Sequence, residues 1–196
     1  MNYLTQSIVI LSLTASSLVA SSSVESIGFI VGKSATNATQ KNNIGTITLG
    51  HEIDESFRSY EIYGTFGKEI FGMKPYLSYT NASNDDLKHQ YILAGLTKYY
   101  PYKKVNFYAG VLGGYGQMKW EYNPISSSDN KYDATAAIFG LQGGVEYLFA
   151  QNLAFNLNGK SLYHDYATHL KPNNTASADI EHKNTTSFGM GLRYMF

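Results

Sequence analysis

This chain of 196 residues has no cysteine, little proline and no net charge. It contains no cysteine, only 4 prolines, and 15 acidic residues against 15 basic residues. Without cysteine an exported chain has no disulfide framework, so its hydrogen-bonded structure must hold the fold together. The balanced charge gives no indication of nucleic acid or of another polyanion as a partner. We therefore expect no nucleic-acid binding.

Long apolar runs are also absent. No segment approaches the roughly 20 consecutive apolar residues that a transmembrane helix needs. Residues 1–20 contain no Asp, Glu, Lys or Arg, and an apolar stretch that begins at Ile8 leads into Ser21–Ser23. This stretch is too short and too rich in serine for a membrane helix, and it is typical of a secretory signal peptide. We predict a signal peptide over residues 1–22 and a single mature domain over residues 23–196.

The last nine residues alternate between large apolar side chains and others. Every second residue is large and apolar, which places five side chains on one face of a β-strand: Phe188, Met190, Leu192, Tyr194 and Phe196. In water such a strand would be prone to aggregate, whereas in a membrane its apolar face would contact lipid. Because no helix is long enough to span, a membrane form of this chain must be a closed β-barrel, which pairs every backbone group between strands.

Eight extended segments follow one another along the mature chain. They are Ser26–Val31, Ile44–Ile53, Phe57–Thr80, Lys88–Tyr99, Val105–Tyr122, Tyr132–Phe149, Leu153–Tyr166 and Asn184–Phe196. Long polar gaps alternate with the short gaps Asp54–Ser56, Tyr100–Lys104 and Ala150–Asn152, as in barrels with long extracellular loops and short periplasmic turns. The long gaps are Gly32–Asn43, Asn81–Leu87, Asn123–Lys131 and Ala167–Lys183.

This pattern predicts an all-β fold, a transmembrane antiparallel up-and-down β-barrel of eight strands, with ten strands as the alternative. The segment Phe57–Thr80 is the difficult one, because Gly67–Ile70 within it has the composition of a turn. Dividing the segment would give nine strands and place the C-terminus on the wrong side of the membrane. We therefore interpret it as one long, bulged strand.

Polar and apolar residues alternate within the segments, so the polar set should face the lumen and the apolar set the lipid. This assigns Glu61, Glu146, Lys160 and Arg193 to the interior. Since an unpaired charge in a narrow barrel is costly, we predict a lumenal charge network that links Glu146, Lys160 and Arg193, with Glu61 across the barrel. A packed polar core is favoured over a gated pore, because eight strands enclose a space that side chains just fill.

Aromatic residues are plentiful, with 17 Tyr and 10 Phe. Because aromatic rings favour the borders of a membrane, their position near the segment ends predicts two girdles. The girdle beside the chain termini would contain Tyr99, Tyr100, Tyr102, Phe149, Phe155, Tyr194 and Phe196. The opposite girdle would contain Tyr79, Trp120, Tyr122, Tyr132, Tyr163 and Tyr166.

Three histidines are the candidates for catalytic or metal-binding chemistry in the sequence. His164, His169 and His182 flank the last long gap, beside Asp165 and Asp179. Such residues near a membrane border could activate a nucleophile or bind a metal. Their spacing does not match a metal motif, so we interpret them as incidental residues of a solvated loop. We expect no catalytic residue, no cofactor and no metal ligand.

The mature chain resembles the small bacterial outer-membrane β-barrel family that includes the opacity proteins, OmpX and the membrane domain of OmpA. The resemblance rests on the exported N-terminus, the alternation of strands and loops, the glycine-rich segment Val105–Tyr115, and the closing strand that ends on Phe196. It implies a location in the outer membrane, among its lipid and lipopolysaccharide. It also implies that the barrel-assembly machinery reads a signal formed by Gly191, Tyr194 and Phe196.

The same resemblance implies a non-enzymatic protein that presents four extracellular loops, with a role in envelope integrity, adhesion or surface interaction. An extracellular ligand would then bind through those loops. Two alternatives stay open: a narrow porin that conducts small solutes, and a lipid-modifying barrel enzyme. The lipid A deacylase family uses a His-x-Ser pair, and here His164 is followed by Asp165 and Tyr166, so that motif is absent.

Overall fold

The computed structural model of the protein is a closed barrel of eight antiparallel strands. It describes residues 23–44, 47–85, 87–120, 132–173 and 176–196; the predicted signal peptide lies outside them. The strands are β1 (Val24–Ile44), β2 (Ile47–Phe66), β3 (Lys74–Ser83), β4 (Leu87–Tyr102), β5 (Val105–Trp120), β6 (Tyr132–Ala150), β7 (Leu153–Asn173) and β8 (Ala176–Met195). Each strand pairs with the next and β8 pairs with β1, which confirms the predicted eight-stranded all-β barrel. None of the described residues forms a helix long and apolar enough to cross a membrane.

The strands are inclined to the barrel axis. When the register is followed from Ile27 through all eight strands, it returns to β1 at Asn37, ten residues further along. A stagger of this size accompanies a strand tilt of roughly 35–45° and an interior just wide enough for side chains. We call the end that holds both strand termini, Val24 and Met195, the proximal end, and the opposite end the distal end.

The predicted single strand Phe57–Thr80 is wrong, because residues 67–73 separate β2 from β3. The chain reverses at Phe71 and Gly72, whose φ angles of 53° and 68° lie in the left-handed region that a tight two-residue hairpin turn requires. Ile70 and Met73 donate backbone hydrogen bonds to each other across this turn, with lengths of 2.8 and 3.0 Å. The glycine-containing Gly67–Ile70 segment therefore begins a turn, as its composition indicated.

The predicted short turn at Asp54–Ser56 is also wrong. These residues continue the ladder between β1 and β2, with Thr36 opposite Glu55 and Asn37 opposite Asp54. The predicted strand Ile44–Ile53 and the first part of Phe57–Thr80 are consequently one strand, β2. The turn at residues 67–73 adds a strand to the predicted count, and the loss of the turn at Asp54–Ser56 removes one. The predicted total of eight strands is therefore right although both turn positions are wrong.

Two of the predicted long loops are mostly strand. β1 continues through Gly32–Asn43, and β7 and β8 cover most of Ala167–Lys183. The gap Asn81–Leu87 shortens to a connection of residues 84–86, and Asn123–Lys131 lies outside the described residues. Because β7, β8, β1 and β2 are neighbours in the barrel, their additional length forms one four-stranded extension at the distal end.

Side chains alternate between lumen and outer surface as the polarity pattern predicted. On β7, Asn156, Asn158 and Lys160 are buried, whereas Phe155 and Leu157 are exposed. The five large apolar residues that alternate at the C-terminus lie on the outer surface, each of them 45–73% exposed: Phe188, Met190, Leu192, Tyr194 and Phe196. The outer wall of the barrel is therefore apolar over several strands, and the polar residues of those strands are enclosed.

Two aromatic residues predicted for the outer surface face the lumen instead. Tyr166 is buried, and the Tyr99 ring packs against the Arg193 guanidinium. Both residues follow the inward positions of their strands, β4 and β7. The other predicted girdle residues are exposed wherever their side chains are described; Tyr122 and the side chains of Trp120 and Tyr132 lie outside the description.

Gly191 lies where β8 closes against β1. A Cβ atom at this position would be 1.9 Å from the Phe29 carbonyl oxygen and 2.9 Å from the Ile30 Cα atom. Both are backbone atoms of β1, so a side chain could be accommodated only by separating the two strands. Gly159 on β7 offers a contrast, because the nearest atoms to its Cβ position are 3.9 Å away.

We expect Gly191→Ala to weaken barrel closure by about 1–3 kcal/mol, since overpacking against backbone forces the strands to shift. Gly159→Ala, with the same chemical change in a roomier place, should be tolerated. Urea unfolding of the refolded barrels, followed by the loss of the compact gel band, measures both. Equal stability of the two variants would contradict the close approach of β8 and β1 at Gly191.

Candidate functional site

The lumen contains the four charged residues that the sequence assigned to it. Glu61, Glu146, Lys160 and Arg193 are each at most 6% exposed. They form two separate ion pairs, Arg193 with Glu146 and Lys160 with Glu61. Lys160 therefore contacts Glu61 and not Glu146, so the four charges are arranged as two pairs at different depths in place of one continuous network.

The proximal pair is centred on the Arg193 guanidinium. Its Nη1 donates to Glu146 Oε2 at 2.7 Å, Nε donates to Ser26 Oγ at 2.8 Å, and Nη2 donates to Thr65 Oγ1 at 3.2 Å. The Tyr99 ring centroid lies 4.8 Å from its Cζ atom, within cation–π range. One side chain of β8 thus joins β1, β2, β4 and β6 across the lumen.

The second pair lies nearer the middle of the barrel. Lys160 donates to Glu61 Oε2 and, over 3.1 Å, to the Tyr76 hydroxyl. The Tyr76 hydroxyl donates to Glu61 Oε1, and Thr80 Oγ1 donates to Glu61 Oε2 at 3.2 Å. Both carboxylate oxygens are hydrogen-bonded, which is what a buried charge needs in a site without bulk water.

Tyrosines and asparagines fill the space between the two pairs. The Tyr108 hydroxyl donates to Asn156 Oδ1 at 2.9 Å and accepts from Asn158 Nδ2 at 2.8 Å. Asn156 Nδ2 in turn donates to the Tyr63 hydroxyl at 2.8 Å. The Tyr63 ring stacks on Tyr76, with centroids 5.5 Å apart. The ion pairs and these aromatic rings therefore form one continuous packed layer.

Distal to Lys160 the lumen becomes apolar and contains a histidine cluster. His89 Nε2 lies 3.0 Å from the Tyr166 hydroxyl, and His164 Nε2 lies 2.7 Å from Thr185 Oγ1. His164 Nδ1 lies 3.1 Å from the carbonyl oxygen of His182. All three histidines are buried, among apolar residues that include Phe57, Tyr91, Met118, Ile138 and Leu162.

The interpretation of His164 and His182 as residues of a solvated loop is therefore wrong. The inward positions of β7 run through Lys160, Leu162, His164 and Tyr166. His164 lies four residues after Lys160 and within the predicted strand Leu153–Tyr166, so the same alternation places it inside. His89 was not singled out by the sequence; its place on an inward position of β4 is the signal that was available. The side chain of His169 lies outside the description.

The geometry of the histidine cluster favours a structural role of these side chains over a metal-binding role. Both ring nitrogens of His164 have a hydrogen-bond neighbour, the Thr185 hydroxyl and the His182 carbonyl, so neither is left to bind a metal. Among the residues that the structure describes, no three His, Asp or Glu side chains are arranged to hold a metal ion. The residues of the C-terminal signal lie apart from the lumenal groups: Tyr194 and Phe196 are on the outer surface, in edge-to-face contact with centroids 5.3 Å apart.

Two solved structures of small outer-membrane proteins match most of the chain. Neisserial surface protein A has a TM-score of 0.56 and 17% identity, over 86% of this chain and 97% of that one. OprG from Pseudomonas aeruginosa has a TM-score of 0.50 and 10% identity, over 88% of this chain and 97% of that one. No protein-family model and no curated protein sequence matches the chain. The chain thus has the fold of small outer-membrane barrels.

The buried pair Lys160–Glu61 gives a prediction for stability. We expect Lys160→Met alone to cost about 3–5 kcal/mol, because it leaves the Glu61 carboxylate buried without its cation. Adding Glu61→Gln should restore most of the loss, since no uncompensated charge then remains. Urea unfolding of the two variants beside the wild type measures both effects. If the double variant were as unstable as the single one, the pair would not be the source of the cost.

Proposed function

We propose that this chain is an exported protein of the bacterial outer membrane whose filled lumen does not conduct, and which acts at the cell surface in envelope integrity, adhesion or surface interaction. The observation that carries the proposal is the packed lumen, where two ion pairs, a tyrosine–asparagine layer and an apolar histidine cluster follow one another along the axis. In this proposal the barrel is a membrane anchor for the distal extension.

The outer wall supports a membrane location. Its exposed large apolar residues form a belt around the barrel: Ile27, Phe29, Val31, Ile62, Ile92, Val111, Phe139, Leu141, Phe155, Leu157, Phe188, Met190 and Leu192. An apolar band of about 25 Å, with aromatic residues at both borders, is the usual lipid-facing surface of such a barrel. Burying this belt in lipid removes an exposed surface that would otherwise favour aggregation.

The distal extension supports a role at the cell surface. Beyond the apolar belt, the outward positions of β1 and β2 carry Ala35, Asn37 and Ser56, and the ladder between the two strands continues to Ile44. β7 and β8 extend similarly and adjoin them. A partner that binds these four strands outside the membrane would then meet a hydrogen-bonded sheet, which loses little entropy on binding.

The C-terminal strand supports assembly into that membrane. Tyr194 and Phe196 present their rings outward beside Gly191, whose backbone closes against β1. In our proposal the assembly machinery binds the C-terminal strand before the barrel closes. On closure, β1 takes the place of the machinery as the partner of Gly191.

The proposal predicts a folded, heat-modifiable and electrically silent protein. Outer membranes from cells that express the chain are run on a gel with and without boiling, and the purified barrel is then tested in planar bilayers. We expect a band that shifts on boiling and no conductance steps. Steps that change with Glu146→Gln or Arg193→Gln would favour the narrow porin, and altered lipid A or phospholipid acylation would favour the enzyme. Recovery in the soluble periplasm would refute the membrane location.

The apolar belt gives a depth-dependent prediction. We expect Leu157→Arg, within the belt, to destabilise the barrel by about 2–4 kcal/mol in lipid, because it places a charge among the acyl chains. Asn37→Arg, also outward-facing but in the distal extension, should cost roughly 0–1 kcal/mol. Urea unfolding from lipid vesicles compares the two variants. Equal costs would contradict the placement of the belt in the membrane.

A further inference from the structure

Two cations lie directly opposite each other on the outer wall of the barrel. Lys33 of β1 and Arg58 of β2 are register partners, and both side chains are exposed. Like charges directly across two antiparallel strands repel each other and destabilise the sheet. An opposed pair of this kind calls for a counter-charge between the two side chains.

No described residue pairs with either cation. Within the part of the chain that the structure describes, no carboxylate lies within ion-pair distance of Lys33 or Arg58. The two cations line a groove of about 610 Å³ together with Tyr60, Asn84 and Asp85, and Asp85 is the one acidic residue among the described lining residues. Two cations against one described carboxylate leave an excess of positive charge there, and the polar lining suits an anion with several oxygen atoms.

The position of the pair on the wall indicates where the anion comes from. One step along each strand towards the proximal end, the outward residues are Val31 and Tyr60, followed by Phe29 and Ile62, all of them exposed. Phe188, the register partner of Lys33 on β8, is exposed as well. One step towards the distal end, the outward residues are Ala35 and Ser56. The cations therefore lie at the border where the apolar belt meets the polar extension.

A second opposed pair of lysines provides a contrast. Lys88 and Lys119 are register partners of β4 and β5 and also face outward. There the carboxylate of Asp133 lies 3.6 Å from Lys119 Nζ, so the protein supplies its own counter-charge. Lys88 lies two outward positions beyond Ile92, the last exposed apolar residue of β4 in that direction, which places this pair farther from the belt.

We propose that Lys33 and Arg58 bind a phosphate group of an outer-leaflet lipid such as lipid A, whose acyl chains lie along Val31, Ile62 and Phe188. This site rests on the proposed membrane location. The guanidinium of Arg58 suits two phosphate oxygens at once, and the Lys33 ammonium provides a point charge beside it. Bound phosphate would neutralise the repulsion between β1 and β2 at the place where their ladder leaves the belt.

The test compares the double variants K33Q/R58Q and K88Q/K119Q, which remove the same charge from the two opposed pairs. Native mass spectrometry of the detergent-purified barrels is titrated with lipid A, with lipid A stripped of its phosphates, and with inorganic phosphate as competitor. We expect K33Q/R58Q to bind lipid A about tenfold more weakly than wild type, the loss of roughly one charge-assisted contact. K88Q/K119Q should bind as wild type does, and the stripped lipid should bind both weakly.

Three results would overturn the site. They are wild-type affinity for lipid A in K33Q/R58Q, a loss of affinity in K88Q/K119Q as large as that in K33Q/R58Q, or binding of the stripped lipid to the wild type as tight as that of intact lipid A. Displacement of lipid A by inorganic phosphate at a similar concentration would overturn the assignment of the anion to a lipid. The boiled and unboiled gel bands of each variant show whether it is folded. A wild-type band that does not shift on boiling would refute the membrane barrel, whereas shifted bands with unchanged lipid binding would refute this site alone.

Discussion

The pairing of β8 with β1 is the constraint on which the rest of the structure depends. A sheet surrounded by lipid has no water to satisfy the backbone groups of a free edge, so it must close on itself. With eight strands, closure at this stagger leaves a lumen only as wide as the side chains that enter it. Gly191, the register partner of Ile30, lies in that closing ladder with no room for a side chain against the β1 backbone. The closed cylinder in turn defines the outer wall that carries the apolar belt, the enclosed lumen, and the end from which the distal extension projects.

A lumen of this width requires every enclosed charge to have a partner. Replacing a buried ion pair by well-packed apolar residues is often neutral for stability, whereas removing one partner is costly. The pairs are therefore better understood as links between distant parts of the chain: Arg193 bonds to Ser26, 167 residues away, and Lys160 bonds to Glu61, 99 residues away. The same side chains hold the strands in register and fill the lumen, so a barrel stabilised in this way is also an occluded one.

The outer surface divides into zones along the axis. The apolar belt near the proximal end passes into polar strand, and the opposed cations Lys33 and Arg58 lie at the transition. The extension is asymmetric, since β1, β2, β7 and β8 have 20 or 21 residues each whereas β3 has 10. Among the described residues, the side of the barrel formed by β7, β8, β1 and β2 therefore extends further than the side formed by β3.

How far the sequence predicted this molecule depends on the range of the interaction concerned. Alternation along β7 placed Asn156, Asn158 and Lys160 inside, because opposite orientation of neighbouring side chains is a local property of any strand. Polar segments such as Asp54–Ser56 were misinterpreted as turns, because strands outside the apolar belt have no polarity pattern to identify them. Sequence alone thus determined an eight-stranded barrel and the polar residues of its lumen, but not the apolar cluster distal to Lys160. The tertiary structure decided where the strands end and that Lys160 meets Glu61 while Arg193 meets Glu146, because both depend on the register between strands far apart in the chain.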